Sequence, residues 1–310
     1  MYKQEASVKI GIVGAGAMGS LFAYYISKSG NDVVLFDTSK ETVSQIEKGL
    51  TVIFEDHTDT VILPVSNKAE ILTDCRYIFI FVKSYATAAA MKNIRSVVTP
   101  ETRLISLQNG LGNEETIKEM LPDNILLYGT TTMGAAKIGL ATVKLGGRGE
   151  THVGGSSEKD VTEAIEMLSL AGFKTTRSTN PDRAVWSKAI INAAINPLGA
   201  LLNVPNGVLS KNEHSLVLMR AIVAEAVNVA AALGIIFDVE EMQQATIKVC
   251  NKTAINECSM LQDVKNRRRT EIESITGEII DRAKKFKVRT PANVTAYHLM
   301  KALEISYFME

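Results

Sequence analysis

Lys188, Asn192 and Asn196 recur every fourth residue within Trp186-Ser187-Lys188-Ala189-Ile190-Ile191-Asn192-Ala193-Ala194-Ile195-Asn196-Pro197-Leu198. On a helix that spacing puts all three on one face, while their neighbours are nearly all apolar, as in a buried helix. Asparagine is a weak helix former that competes for backbone hydrogen bonds. Burying two amides and an ammonium without partners costs several kcal/mol. The stripe therefore reads either as a ligand surface or as a polar network between helices, with a kink at Pro197. A lysine so placed has a particular chemical use. Hydride addition to a ketone develops an alkoxide, which an ammonium can stabilise and protonate. Burial would lower the pKa of that lysine, and a nearby carboxylate would raise it.

A second constellation lies near the start. Gly14-Ala15-Gly16-Ala17-Met18-Gly19 follows the apolar run Val8-Lys9-Ile10-Gly11-Ile12-Val13 and opens a helical pattern that ends at Gly30. A second strand pattern, Asp32-Val33-Val34-Leu35-Phe36-Asp37, comes next. In such a turn Gly14 permits the tight bend, Gly16 lets backbone approach a pyrophosphate, and Gly19 lets helix and strand pack closely. Exposed N–H groups at the helix start then meet the phosphate charge. The strand–turn–helix–strand context separates this motif from a chance G-x-G-x-x-G. Asp37 lies 18 residues after Gly19. A carboxylate there accepts hydrogen bonds from the adenosine ribose and favours NAD(H) over a 2′-phosphorylated cofactor, an effect that Lys40 partly offsets. Alternatively, Asp37 caps a helix beginning near Ser39.

Around these residues the chain alternates short β runs with helical segments up to about residue 178. Strands are expected at 77–82, 103–107, 125–128 and 173–176, and helices at 40–48 and 87–97. That alternation predicts an α/β fold, a Rossmann-type doubly wound parallel sheet. Residues 51–55 with 60–63, and 142–145 with 151–153 across Gly146-Gly147-Arg148-Gly149, read as two inserted hairpins. At Asn180-Pro181-Asp182 the texture changes, with Asp182 placed to cap a helix. Helical patterns then cover 184–195, 215–233, 239–256, 263–285 and 292–308. Two domains are expected, a dinucleotide-binding domain over 1–179 and an all-α substrate and catalytic domain over 180–310.

Composition narrows the classes. Thirty-four basic and 34 acidic residues cancel, so nothing in the net charge points to nucleic acid or an anionic membrane. No apolar stretch reads as long enough to span a bilayer, and Met1-Tyr2-Lys3-Gln4-Glu5 lacks signal-peptide character. Cys75, Cys250 and Cys258 form neither a disulfide framework nor a zinc pattern, so no metal site and a reducing, cytoplasmic setting are expected. Arg267-Arg268-Arg269 reads as a solvated face. The apolar C-terminal helices suit either a homodimer interface or their own core.

Taken in order, several segments resemble the ketopantoate reductase (2-dehydropantoate 2-reductase) family nearly end to end. They are Gly14–Gly19; Val82-Lys83-Ser84-Tyr85; Leu107-Gln108-Asn109-Gly110-Leu111-Gly112; the Lys188–Pro197 stripe; Asn203-Val204-Pro205-Asn206-Gly207; Ser259-Met260-Leu261-Gln262-Asp263; and Arg269-Thr270-Glu271-Ile272. The resemblance implies reduction of ketopantoate to pantoate, on the route to pantothenate and coenzyme A, usually with NADP(H). It also implies a helical C-terminal domain of the 6-phosphogluconate-dehydrogenase-like type. By the same resemblance Lys188 is the general acid and Glu271 holds its ammonium. Asn192, Asn196, Asn206 and Ser259 bind a small 2-oxo acid, and Lys83 and Asn109 border the nicotinamide and ribose, with Asn109 also near substrate. Relatives that bind NADP carry an arginine near the end of the second strand, where this chain has Phe36-Asp37-Thr38-Ser39-Lys40, which leaves NAD(H) as the competing cofactor. Ser259 and Glu271 are twelve residues apart, about 120° off register on one helix, so a shared site requires a break between them. Two other readings remain: a dehydrogenase for another short 2-oxo or 3-hydroxy acid, and a non-catalytic nucleotide sensor.

Overall fold

The structure, a computed structural model, describes residues 8–307; the five N-terminal residues read above for a leader lie outside the described residues. The chain divides into two compact units. One comprises the chain up to Gln108 together with Asn113–Pro181, and the other comprises Asn109–Gly112 and the chain from Asp182 onward.

The first unit is α/β. Its elements are β1 (Lys9–Val13), α1 (Ala17–Lys28), β2 (Asp32–Phe36), α2 (Lys40–Ile46), β3 (Leu50–Ile53), β4 (Thr58–Val61), β5 (Val65–Ser66), β6 (Tyr77–Ile80), α3 (Thr87–Ile94) and β7 (Arg103–Ser106). After the short excursion at 109–112 come α4 (Asn113–Met120), β8 (Leu126–Thr131), β9 (Gly134–Gly139), β10 (Thr142–Gly147), β11 (Glu150–Gly155), α5 (Glu158–Leu170) and β12 (Lys174–Arg177). Eight strands form one sheet in the order β12-β11-β8-β7-β6-β1-β2-β5. All of its pairs are parallel except β8 with β11. Its central strands are buried along almost their whole length, as parallel strands covered on both faces must be. The direction of winding reverses at β1, which lies between β2 and β6, and the carboxyl ends at such a switch point are where open α/β sheets bind ligands.

A second sheet, β4-β3-β10-β9, belongs to the same unit. The predicted hairpin of β3 and β4 is present, but 142–145 and 151–153 do not pair with each other. β10 joins β3 and β9 in the small sheet, whereas β11 joins β8 and β12 in the large one. The glycine-rich link between them is thus a crossing between sheets rather than a hairpin turn. Helix α1 touches β1 and β2 of the large sheet as well as β3, β9 and β10 of the small one. Phe22 on α1 stacks on Phe173 at 4.2 Å between ring centres and meets Phe81 at 4.6 Å.

The second unit is helical: α6 (Pro181–Leu202), α7 (Asn206–Leu209), α8 (Glu213–Ala232), α9 (Val239–Lys252), α10 (Ser259–Lys265), a π-helical turn over Glu273–Gly277, α11 (Glu278–Phe286) and α12 (Pro291–Ser306). Pro181 occupies the first helical position of α6, which suits its missing N–H, so Asp182 sits inside the first turn and is not the cap. The helix runs through Pro197 to Leu202. The single helix expected over 263–285 is instead broken: residues 266–271, Glu271 among them, separate α10 from the helical segment that begins at Ile272, and Arg267 takes a φ of 50°. The expectation that no segment could span a bilayer also needs correction. By length and composition α6 and α8 both qualify; their apolar length is used in packing, as Ile190, Ala193, Val223 and Ala226 have no exposed surface.

Candidate functional site

The glycine turn leaves β1 with Gly14 at φ 99° and its N–H bonded to the Phe36 carbonyl at 2.9 Å. A Cβ at Gly14 would lie 2.9 Å from Val82 N, and one at Gly19 would lie 1.9 Å from the Gly14 carbonyl oxygen. Both positions therefore exclude any side chain. Gly16 is different: a Cβ there would meet nothing within 4 Å. It opens onto a space that any side chain would fill, next to the start of α1, whose first turn has no side-chain cap. Uncapped N–H groups facing an open cradle suit the pyrophosphate of a dinucleotide, so these residues fit the cofactor that the motif implies. A cavity of about 380 Å³, open to solvent, continues from Gly14 between Phe36-Asp37-Thr38 on one side and Val82, Ala86, Ala89, Ala90 and Asn93 on the other.

Ala15 is held at both of its main-chain polar groups. Its N–H donates to Asp37 Oδ2 at 2.8 Å, and its carbonyl accepts from Lys137 Nζ at 2.9 Å and Ser20 Oγ at 3.3 Å. Asp37 Oδ1 accepts from Ser39 N at 2.8 Å. The cap of α2 is Ser39, whose Oγ accepts from Thr42 N, so the alternative of Asp37 as that cap is corrected: Asp37 fastens the glycine turn to the end of β2.

Lys83 lies beyond β6, at the entry to a short 3-10 turn over Ser84–Ala86. Gln108, beyond β7, ties these strand ends together, donating to the Val82 carbonyl at 2.8 Å and Thr87 Oγ1 at 2.9 Å while accepting from Ser106 Oγ. Asn109 follows it, at the head of the segment that belongs to the helical unit.

Within that unit Lys188, Asn192 and Asn196 lie on α6 at the expected spacing, Asn196 only 5% exposed. Lys188 keeps some exposed surface, but its ammonium is densely surrounded. That burial pulls its pKa down from 10.5 to about 8, against the opposing pull of the negative Glu271. Glu271 is itself only 6% exposed. The two residues are 83 apart in sequence, and α6 and the link that ends at Glu271, just before the helical segment starting at Ile272, bring their charges within interaction range. Ser259 is the exposed first residue of α10. Its neighbour Cys258 caps that helix and donates to the Asn196 carbonyl at 3.5 Å. Asn206 is buried, donating from Nδ2 to Thr253 Oγ1 at 2.9 Å, whereas its Oδ1 has no donor in the structure.

Several supporting residues were not singled out in the sequence. Glu304 on α12 is buried and accepts from Thr270 N at 2.7 Å and Thr270 Oγ1 at 2.6 Å, fixing the residue before Glu271. The π turn begins two residues after Glu271, and the Ser274 carbonyl accepts from Leu111 N at 2.7 Å. Gly110 has φ 84°, and a Cβ there would lie 2.5 Å from Ser274 Oγ. Lys137 is 122 residues from Ala15 in sequence, and β9, which carries it, has no alternating apolar pattern to mark it as a strand.

A family model described as ketopantoate reductase PanE/ApbA matches residues 10–158, and the model of the same family's C-terminal domain matches residues 180–304. The chain belongs to the ketopantoate reductase family. A 2-dehydropantoate 2-reductase from Pyrococcus abyssi is 34% identical over 96% of this chain and 98% of the relative. Among solved structures, a D-mandelate dehydrogenase with NADH and anilino(oxo)acetate superposes with a TM-score of 0.92 at 31% identity, covering 97% of this chain and 99% of that one. A PanE/ApbA family ketopantoate reductase from Ralstonia eutropha JMP134 superposes with a TM-score of 0.90 at 25% identity, covering 97% and 99%. As a ketopantoate reductase family member the chain is an oxidoreductase acting on CH–OH donors, and the family uses a nicotinamide cofactor.

Proposed function

We propose that the chain reduces 2-dehydropantoate to pantoate, with the sheet unit holding the nicotinamide cofactor and the helical unit supplying acid and substrate contacts. The observation that carries this reading is the Lys188–Glu271 pair, a buried ammonium whose pKa is brought to about 8. When bound, the cofactor supplies a hydride to the keto carbon. Lys188 stabilises the charge that develops on the oxygen as the carbonyl π bond breaks, gives that oxygen a proton, and regains one from solvent. Glu271 keeps enough negative charge nearby for the buried amine to stay protonated near neutral pH. Asn192, Asn196 and Ser259 are assigned to the carboxylate and hydroxyl groups of the oxo acid, and Lys83 and Asn109 to the nicotinamide and ribose. Asn206 Oδ1, buried without a donor, is assigned to the 4-hydroxyl of the substrate, which would satisfy it.

For the cofactor we favour NADH. Asp37 retains lone pairs beyond the two it uses on Ala15 and Ser39, and no arginine stands at the end of β2. A second substrate reading, an aryl 2-oxo acid, is favoured by the likeness to the D-mandelate dehydrogenase, but such an acid has no hydroxyl for Asn206. Steady-state kinetics with 2-dehydropantoate and with phenylglyoxylate, each with NADH and NADPH, test both choices. A higher kcat/KM for phenylglyoxylate would overturn the substrate reading.

A further inference from the structure

The turn that must accept a pyrophosphate is bordered by a carboxylate. Asp37 is pinned to the Ala15 N–H at 2.8 Å, one peptide from the open position at Gly16. A pyrophosphate carries about two negative charges of its own, and like charges at such separations repel appreciably even at the effective dielectric of a protein surface. The uncapped start of α1 offsets this only in part, because a helix end carries roughly half an elementary charge.

The structure places a full positive charge on the same residue, Ala15. Lys137 Nζ donates to the Ala15 carbonyl at 2.9 Å, on the residue whose N–H holds Asp37. Lys137 comes from the small sheet, where it pairs with Val143. It reaches the turn because α1, which the turn opens, packs directly on β9. Lys137 is half-buried, so its charge is less screened than that of a surface lysine.

We propose that Lys137 is a cofactor-binding residue whose ammonium neutralises the pyrophosphate beside Asp37. The small sheet thereby becomes part of the dinucleotide site. The proposal rests on the reading of Gly14–Gly19 as a dinucleotide turn and not on the identity of the oxo acid.

The decisive variant is Lys137→Gln, whose amide can still donate to the Ala15 carbonyl but brings no charge. The probes are ADP-ribose, which contains the pyrophosphate, and adenosine, which does not. Both are titrated against the full chain by calorimetry at several salt concentrations, with thermal unfolding of the unliganded proteins as a check on folding. Lys137→Gln is expected to raise the Kd for ADP-ribose about tenfold, the scale of one partly screened charge contact. It should also flatten the salt dependence of that Kd and leave adenosine unaffected, while Lys137→Arg should bind ADP-ribose nearly as the native chain does. An unchanged ADP-ribose Kd and salt dependence in Lys137→Gln would overturn the proposal. So would an equal loss for adenosine, which would mean that the lysine only braces the turn. If the native chain fails to bind ADP-ribose, the dinucleotide reading falls as well. Failure to turn over 2-dehydropantoate does not touch this proposal.

Discussion

Lys188 is an amine held close to losing its proton, and its behaviour with pH follows from that. Proton donation needs the ammonium, so kcat for ketone reduction should decline as pH rises through about 8, and oxidation of the hydroxy acid should increase through the same pH. A pH–rate profile in both directions checks this; a flat reduction profile between pH 7 and 9 would contradict it. The same shift acts on stability. The folded pKa of about 8 lies below the ordinary value of 10.5, so between those values the unfolded chain binds the extra proton and stability rises with pH. Below about pH 8 the buried ammonium costs on the order of 3 kcal/mol. Lys188→Ala should lower kcat by about 10²–10⁴-fold while nucleotide binding survives. Combining it with Glu271→Ala should cost far less than the product of the two single losses, because in the proposed mechanism the residues act as a unit. Strictly multiplicative losses in that cycle would point to another acid. Asp37→Asn keeps acceptors for the glycine turn but loses the charge. It should move the kcat/KM ratio towards NADPH by about tenfold, the scale of one charged hydrogen bond.

At the scale of elements, α6 was the most legible part of the site. Its polar stripe at Lys188, Asn192 and Asn196 needs only helical periodicity to be seen. The interruption between Ser259 and Glu271 was legible as a conflict of register and appears as the non-helical 266–271 segment, which includes Glu271 itself. The π turn was not legible, because an extra residue in a helical turn leaves no mark on side-chain pattern. Its partner segment does leave one, in the glycines flanking Leu111. Gly110→Ala would combine a φ of 84° with a Cβ 2.5 Å from Ser274 Oγ, a strain of about 1–3 kcal/mol. The expected result is a lower Tm and an oxo-acid KM raised about tenfold, with the Kd for NADH unchanged. A Gly110→Ala chain with native Tm and native KM would remove the π turn from any positioning role. The misread pairing of 142–145 with 151–153 has a similar origin. A glycine-rich link satisfies both a tight turn and a crossing between sheets, and only long-range pairing, as of Thr142 with Thr51, distinguishes them.

Over the whole molecule, the local signals carried the α/β character of the first unit and the helical character of the second. Contacts between distant residues escaped them: Lys137 with Ala15, Glu304 with Thr270, and Leu111 with Ser274 all join positions whose pairing no local pattern encodes. The last of these reaches beyond the finished structure. Leu111 N and its acceptor, the Ser274 carbonyl, are separated by 163 residues (274 − 111). At a translation rate of about 5–20 residues per second, the Leu111 amide is made roughly 10–30 s before its partner exists. Until then water or a chaperone must satisfy that N–H, and the strands on either side of residues 109–112 must close around an unfinished loop. The segment 109–112 of the helical unit is therefore made, within the chain of the sheet unit, long before the rest of its own unit exists to bond it.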